Sequence, residues 1–193
     1  MKKKILFYYK LFFAGGTEHS ILKLVKKLYL DYDIYVAYDE KSVDIVLKEI
    51  ADYATIINLN QIKDINVDTC IWCSYSSIGS FKDFAMKVKA EKYLFWCHIL
   101  LFETYPDIIF DEDFKNNIQK FICVSENVKK DILGKYPELE KKCEVIENYL
   151  DFKEIEKKSN EIIDLVVDKN KLNIISVSRL HPSKRIWKNE NVM

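Results

Sequence analysis

Residues 4–28 read KILFYYKLFFAGGTEHSILKLVKKL, a stretch in which two adjacent glycines join a strand pattern to a helix pattern. Residues 4–9 form a continuous apolar run, which is typical of a buried strand. Over 18–30 apolar residues recur at helical spacing, and lysines lie mostly on the other face. This spacing predicts an amphipathic helix, with Thr17 as its N-terminal cap.

The rest of the chain repeats this alternation of short apolar strands and amphipathic helices. We predict further strands at 33–38, 54–59, 69–74, 92–98, 120–125 and 143–148, and further helices at 41–51, 81–90, 111–118 and 126–135. The last of these helices has Ser125 as its expected cap and Gly134 as its expected end. The pattern predicts an α/β fold: a Rossmann-like parallel sheet with helices on both faces.

The sequence divides into three parts. Residues 1–150 form the predicted Rossmann-like domain, and 151–171 are a charged connector with helical character. A new strand is expected at 172–178, so residues 172–193 are the start of a second domain.

Composition excludes several classes of protein. Thirty basic residues balance thirty acidic ones, and only Arg179 and Arg185 are arginine, so we expect no nucleic-acid partner. The sequence shows no secretory signal and no apolar stretch of transmembrane length. Five cysteines, an odd number, indicate reduced thiols and a cytoplasmic protein. Peripheral contact with the inner face of the membrane stays open.

The pair Gly15–Gly16 has two interpretations. Glycine lets a ligand approach the backbone, and a helix N-terminus favours an anion, so the pair is a candidate phosphate site. The other interpretation is a tight turn. No third glycine completes a dinucleotide fingerprint, and no GK[ST] sequence follows. Glu18 and His19 lie in the first helical turn, where an acidic residue or a capping histidine is ordinary.

His98 follows an apolar strand and is expected at its carboxyl end, where open α/β sheets bind ligands. It is a candidate for acid–base or hydrogen-bonding work, or else a core histidine. Glu103, in the next loop, is a weaker candidate. Cys70 and Cys73 have zinc-ligand spacing, but residues i and i+3 of a strand point to opposite faces, so we predict no metal site.

Two further segments carry polar residues at strand ends. Arg179 and Lys184 directly follow the predicted strand at 172–178, and two cations there suit a diphosphate. The alternative is a solvated loop. Ser125 and Glu126 are explained by helix capping and by the helix dipole alone.

Four fragments, AGGTEHSILKLVKKL, FICVSENVKKDIL, VIENYLD and IISVSRLHPSK, occur in an order that resembles family 4 glycosyltransferases. The resemblance covers residues 1–186. It implies the N-terminal half of a GT-B fold, in which two Rossmann-like domains face each other across a cleft. The implied activity is transfer of a sugar, with retention, from a nucleotide-sugar donor to a glycan or lipid-linked acceptor. Bacterial surface polysaccharide or glycolipid synthesis is the implied setting.

The resemblance also implies roles for individual residues. Gly15, Gly16, Arg179 and Lys184 would bind the donor phosphates, and His98 would be catalytic, near the transferred sugar. The acceptor-side candidates are Glu18, Glu103 and Glu126, whereas Asn148 and Asp151 would be structural. No cofactor or bound metal is implied, because cations and a helix dipole replace one.

The chain departs from the family at its C-terminus. It ends RIWKNENVM, where the family continues with a donor-binding domain and an E-x7-E segment. We therefore expect a truncated glycosyltransferase that is inactive alone. Two alternatives remain: a non-catalytic Rossmann-like module that binds an anion or a protein, and a Rossmann-like oxidoreductase, which the missing glycines disfavour.

Overall fold

The computed structural model describes residues 1–12, 15–41, 45–75, 78, 81–161, 170–175 and 177. The chain forms two compact units, Met1–Asp151 and Phe152–Met193. The predicted phosphate ligands Arg179 and Lys184 lie outside the described residues. No helix within the described ranges is long and apolar enough to cross a membrane.

The first unit alternates strands and helices along the chain. Its strands are β1 Lys4–Tyr8, β2 Leu11–Phe12, β3 Asp33–Tyr38, β4 Glu40–Lys41, β5 Thr55–Asn58, β6 Ile65–Trp72, β7 Val88–Cys97, β8 Ile118–Cys123 and β9 Cys143–Val145. Its helices are α1 Gly16–Leu28, α2 Ile45–Ile50, α3 Phe81–Lys87, α4 Leu101–Thr104, α5 Glu112–Asn117 and α6 Glu126–Lys135, followed by a 3₁₀ turn at Pro137–Leu139. In the second unit, α7 spans Phe152–Ser159.

Seven strands form one sheet in the order β5-β3-β1-β6-β7-β8-β9, and every pair is parallel. A separate two-stranded ladder joins β2 to β4. The interior strand β1 pairs with β3 on one side and with β6 on the other, so Leu6 lies opposite both Tyr35 and Cys70. The predicted Rossmann-like α/β fold is confirmed.

The sheet buries a separate core on each face. On one face, Phe7 packs with Ile21 and Val25 of α1 and with Leu47 of α2. The other face packs Trp72 against aromatic side chains of α3 and α5, including Phe81, Phe84 and Phe114. Continuous apolar strands are what this two-sided burial requires.

The two helix caps predicted from sequence have different outcomes. Ser125 caps α6, because its Oγ accepts a hydrogen bond from the backbone N–H of Val128 at 3.3 Å. The prediction for Thr17 is wrong: α1 begins two residues earlier than predicted, at Gly16, and Gly15 is its N-cap without a side-chain hydrogen bond. The prediction for Gly134 is also wrong, because α6 continues to Lys135 and is closed by Tyr136.

Three strands begin earlier than predicted, and one predicted strand is missing at the described positions. One of the three is β8, which starts at Ile118 instead of 120. β7 starts at Val88, directly after α3, so the helix predicted over 81–90 ends three residues sooner. β6 starts at Ile65 instead of 69. Residues 172–175 and 177 are exposed and belong to neither a helix nor a strand, so the strand predicted at 172–178 is wrong there.

Candidate functional site

Several chain segments converge on a small cavity at the carboxyl edge of the sheet. The strands β1, β6 and β7 end side by side there, and the start of α1 lies beside them. The cavity has a volume of ≈ 20 Å³, room for a single water. We call it the His98 cavity; it is lined by Tyr9, Thr17, Cys73, Tyr75, Phe95, Trp96, Cys97, His98 and Ile99.

His98 directly follows β7, as the sequence predicts for a residue at this edge. Its ring centroid is 4.3 Å from that of Trp96, at an interplanar angle of 51°. Burial lowers the pKa of the imidazole from 6.5 to about 4. His98 is therefore neutral at pH 7, suited to hydrogen bonding and poorly suited to carrying a positive charge.

The Nε2 atom of His98 is buried, and no partner for it is found within the described part of the chain. A buried polar atom that lacks a hydrogen bond costs free energy, so such atoms normally meet a water or a ligand. The cavity that His98 lines has room for one polar atom of either kind.

Tyr9 lies one residue after β1 and forms the wall of the cavity next to α1. Burial, together with the nearby Glu18 carboxylate, raises the pKa of its phenol to about 12. A hydrogen bond with the Thr17 side chain acts in the opposite direction. The phenol therefore stays protonated and retains its hydroxyl as a hydrogen-bonding group.

The two glycines of the candidate phosphate site differ in their surroundings. A Cβ at Gly15 would lie 2.9 Å from Oε2 of Glu18, whereas a Cβ at Gly16 would meet nothing within 4 Å. Glu18 is only 2% exposed and lies in the first turn of α1. An anion approaching Gly15 would therefore meet a carboxylate, while Gly16 presents its backbone to open space.

The segment after His98 is held by helix α6. Oδ2 and Oδ1 of Asp131 accept hydrogen bonds from the backbone N–H groups of Phe102, at 2.8 Å, and Glu103, at 3.0 Å. The Nζ of Lys135 donates to two backbone oxygens farther along, at 2.7 Å and 2.8 Å, and lies 4.7 Å from the Phe102 ring centroid. These contacts fix the path of the chain that leaves the cavity.

Two sequence candidates do not line the cavity. The side chains of Glu103 and Glu126 are exposed, and Glu126 lies in the first turn of α6. Glu18 is buried close enough to Tyr9 and Cys73 to raise the pKa of both groups. The structure thus brings Glu18 and His98 to one region and leaves the other two carboxylates at its periphery.

Sequence reasoning missed a pair of tyrosines beside the cavity. Tyr75, which lines it, stacks on Tyr105 with ring centroids 4.9 Å apart and an interplanar angle of 22°. Their hydroxyls are 3.1 Å apart. Tyr75 closely follows the apolar strand β6, which was a signal available in the sequence, whereas Tyr105 follows the short helix α4.

The cysteines have a structural role here. Cys70 is buried in one core and Cys73 in the core on the opposite face, so the pair cannot converge on one metal ion. Burial raises the pKa of both thiols, which makes them poor nucleophiles. Near the end of the first unit, Oδ1 of Asn148 is buried and lacks a hydrogen-bond partner among the described residues.

The groups of the His98 cavity share a chemistry. A neutral imidazole, a protonated phenol and a threonine hydroxyl all donate or accept hydrogen bonds without carrying charge. Such a set suits the hydroxyl groups of a polyol, and the buried carboxylate of Glu18 adds an acceptor nearby.

Comparison with known proteins gives a match to a solved structure. No protein-family model matches the chain, and no curated protein matches it. Its structure is similar to the crystal structure of Anabaena Alr3699/HepE in complex with UDP and glucose, with a TM-score of 0.55 and 13% sequence identity over 78% of this chain. The chain spans 46% of the HepE chain. At this identity the similarity is one of fold.

Proposed function

We propose that the chain is the acceptor-side domain of a glycosyltransferase that uses a nucleotide-sugar donor. The observation that carries the proposal is the His98 cavity at the carboxyl edge of the sheet, where parallel α/β folds bind ligands. HepE, which shares this fold, was solved with UDP and glucose, the two parts of a nucleotide-sugar. The four ordered sequence motifs support the same activity independently of the fold.

The finer assignment is to a retaining, GT-B enzyme like those of family 4. In this proposal a second Rossmann-like domain binds most of the donor, and Arg179 and Lys184 neutralise its diphosphate. The acceptor is a glycan or a lipid-linked sugar, in surface polysaccharide or glycolipid synthesis at the inner face of the membrane. No cofactor takes part in this reaction.

His98 is the residue that we assign to the transferred sugar. Its neutral ring and unpartnered Nε2 suit a hydrogen bond to a sugar hydroxyl. That bond becomes stronger if positive charge develops on the sugar in the transition state, because the hydroxyl is then a better donor. Of the two glycines, Gly16 is the phosphate contact, since Glu18 lies against Gly15.

Ligand-induced changes in amide NMR spectra of the full 193-residue chain test this assignment. We expect UDP-glucose to shift the amides of Gly16, Thr17 and His98, with weak affinity because donor contacts lie largely on the second domain. The His98→Ala variant should lose the response to the glucose part and keep the response to UDP. The matched control is His19→Ala, which removes an exposed imidazole from the start of α1.

Two outcomes would overturn the proposal. One is an absence of any response to UDP-glucose at the amides around the His98 cavity. The other is an equal response to inorganic pyrophosphate with no contribution from the sugar, which would favour the alternative of a non-catalytic anion-binding module.

A further inference from the structure

A second cavity opens at the same edge of the sheet, on the other face of β1. It has a volume of ≈ 280 Å³, below the usual range of about 300–1,000 Å³ for pockets that hold drug-sized ligands. A single sugar ring suits this size better than a whole nucleotide-sugar does. We call it the Asp39 pocket; it is lined by Tyr8, Lys10, Asp39, Glu40, Leu59, Asn60, Asp83, Phe84 and Lys87.

Hydrogen bonds hold the walls of the Asp39 pocket in place. The hydroxyl of Tyr8, a residue only 2% exposed, donates to Oδ2 of Asp39 at 2.7 Å. The side-chain amide of Asn60 donates to the backbone oxygen of Asp39 at 3.0 Å. Lys87 donates through Nζ to the backbone oxygen of Leu59 at 3.1 Å. A ligand therefore meets polar groups whose orientations are already fixed, which lowers the entropic cost of binding.

The floor of the pocket is aromatic. The rings of Tyr8 and Phe84 lie 4.4 Å apart at an interplanar angle of 40°, and both belong to the core beneath the pocket. An apolar floor with a ring of hydrogen-bonding groups is the general design of a small-molecule site. It matches a sugar ring, which has C–H groups on its faces and hydroxyls around its edge.

The charges around the pocket select against anions. Three carboxylates, those of Asp39, Glu40 and Asp83, face two lysine ammonium groups, Lys10 and Lys87. A phosphate or a uronic acid would meet more like charge than opposite charge, whereas an amine would be attracted. This preference is the reverse of what a donor phosphate requires at Gly16.

We propose that the Asp39 pocket binds one pyranose-sized sugar unit that carries no negative charge, and that an amino group on that unit strengthens binding. Where the proposed function holds, this unit belongs to the acceptor and lies on the opposite face of β1 from the transferred sugar. The recognition itself depends only on the lining residues.

Titration of the full chain with three methyl glycosides, followed by amide NMR, tests this inference. We expect the methyl glycoside of glucosamine to bind most tightly, that of glucose more weakly and that of glucuronate least. The shifted amides should include those of Asp39, Glu40 and Asn60. The Asp39→Asn variant, which can still accept the hydrogen bond of Tyr8, should weaken the glucosamine complex about tenfold, the loss expected for one charge-assisted hydrogen bond.

The matched control is Asp33→Asn, at the start of β3, the strand that Asp39 directly follows; Asp33 lies outside the pocket. It should leave glycoside binding unchanged. The inference is overturned if glucuronate binds as well as glucosamine, if no glycoside binds, or if both variants have the same effect. UDP-glucose titrations of the same Asp39→Asn variant report on the His98 cavity separately, so each proposal can fail without the other.

Discussion

The His98 cavity and the Asp39 pocket lie at the same edge of the sheet. They differ in the charge of the polar groups that line them. In the first, burial keeps the imidazole of His98 and the phenol of Tyr9 uncharged. In the second, charged side chains remain near solvent, and Asp39 is fixed by the buried hydroxyl of Tyr8. Tyr8 and Tyr9 are consecutive residues, so the alternation of side chains along β1 supplies one wall to each site. The difference shows that the two faces of one strand end can line cavities whose electrostatic surroundings differ.

The largest expected effect concerns the pH dependence of stability and the buried imidazole. The pKa of His98 is about 4 in the folded state against 6.5 for an exposed histidine, so the unfolded chain binds the proton more readily. The resulting stabilisation is present above pH 6.5 and is lost as the pH falls from 6.5 to about 4. The loss is at most about 3 kcal/mol, from 1.36 kcal/mol for each pKa unit.

Urea unfolding of the wild type and of His98→Gln at several pH values measures this effect. The variant should show a flatter decline between pH 6.5 and 4 than the wild type. Equal slopes for His98→Gln and wild type would mean that burial does not control the charge on His98.

A smaller loss of stability is expected for Gly15→Ala. The new methyl group would lie 2.9 Å from the buried carboxylate of Glu18, which must then move. We expect the free energy of unfolding to fall by about 1–2 kcal/mol. Gly16→Ala, which meets open space, should change stability by less than about 0.5 kcal/mol and should reduce the response to UDP.

A double variant decides whether the contact with Glu18 is the cause. Combining Gly15→Ala with Glu18→Ala removes the carboxylate that the methyl group displaces, so the two losses should be less than additive. Strict additivity in chemical denaturation would show that Gly15 is required for another reason.

Tyr8→Phe should cost about 1 kcal/mol, because it removes a hydrogen bond to a partly exposed carboxylate without creating a cavity. The same change should weaken glucosamine binding at the Asp39 pocket and leave the UDP response unchanged. The control is Tyr29→Phe, at an exposed residue on the opposite edge of the sheet, which should change stability by less than about 0.5 kcal/mol. An effect of Tyr8→Phe on the His98 cavity would show that the two sites are coupled.

The smallest effect on stability is expected for Glu40→Gln. Glu40 is exposed, so the free energy of unfolding should stay within about 0.5 kcal/mol of wild type. Its charge nevertheless faces the pocket, and the preference for glucosamine over glucose should narrow in glycoside titrations. If the preference for glucosamine over glucose is unchanged in the variant, Glu40 does not contribute to the recognition of an amine.

The pattern of strands and helices could be predicted because both faces of the sheet are covered, which makes each strand a continuous apolar run. The predicted boundaries were wrong where that signal disappears. β7 begins with VKAEK, whose charges continue the pattern of the preceding helix, and β6 begins with INVD, which contains two polar residues. The secondary-structure propensity of these residues could not locate the start of either strand, because the start is determined by parallel pairing with a neighbouring strand.

The functional site could be predicted only where one residue marks a strand end. His98 met that condition, and its position at the carboxyl edge followed from the apolar strand before it. The partnership of Tyr9 with Thr17, and that of Tyr8 with Asp39, depends on segments that come together only in the folded chain. Local sequence also could not show that Glu18 is buried against Gly15 while Glu103 and Glu126 stay exposed.

The interior position of β1 has a consequence for the synthesis of the chain. β1 is made before both of its partner strands, and the second of them, β6, ends only at Trp72. Until β6 has been made, the edge of β1 that will pair with it is unpaired in the nascent chain, and such an apolar edge is prone to association with other chains. The placement that lets β1 line both the His98 cavity and the Asp39 pocket thus leaves one of its edges unpaired until β6 has been made.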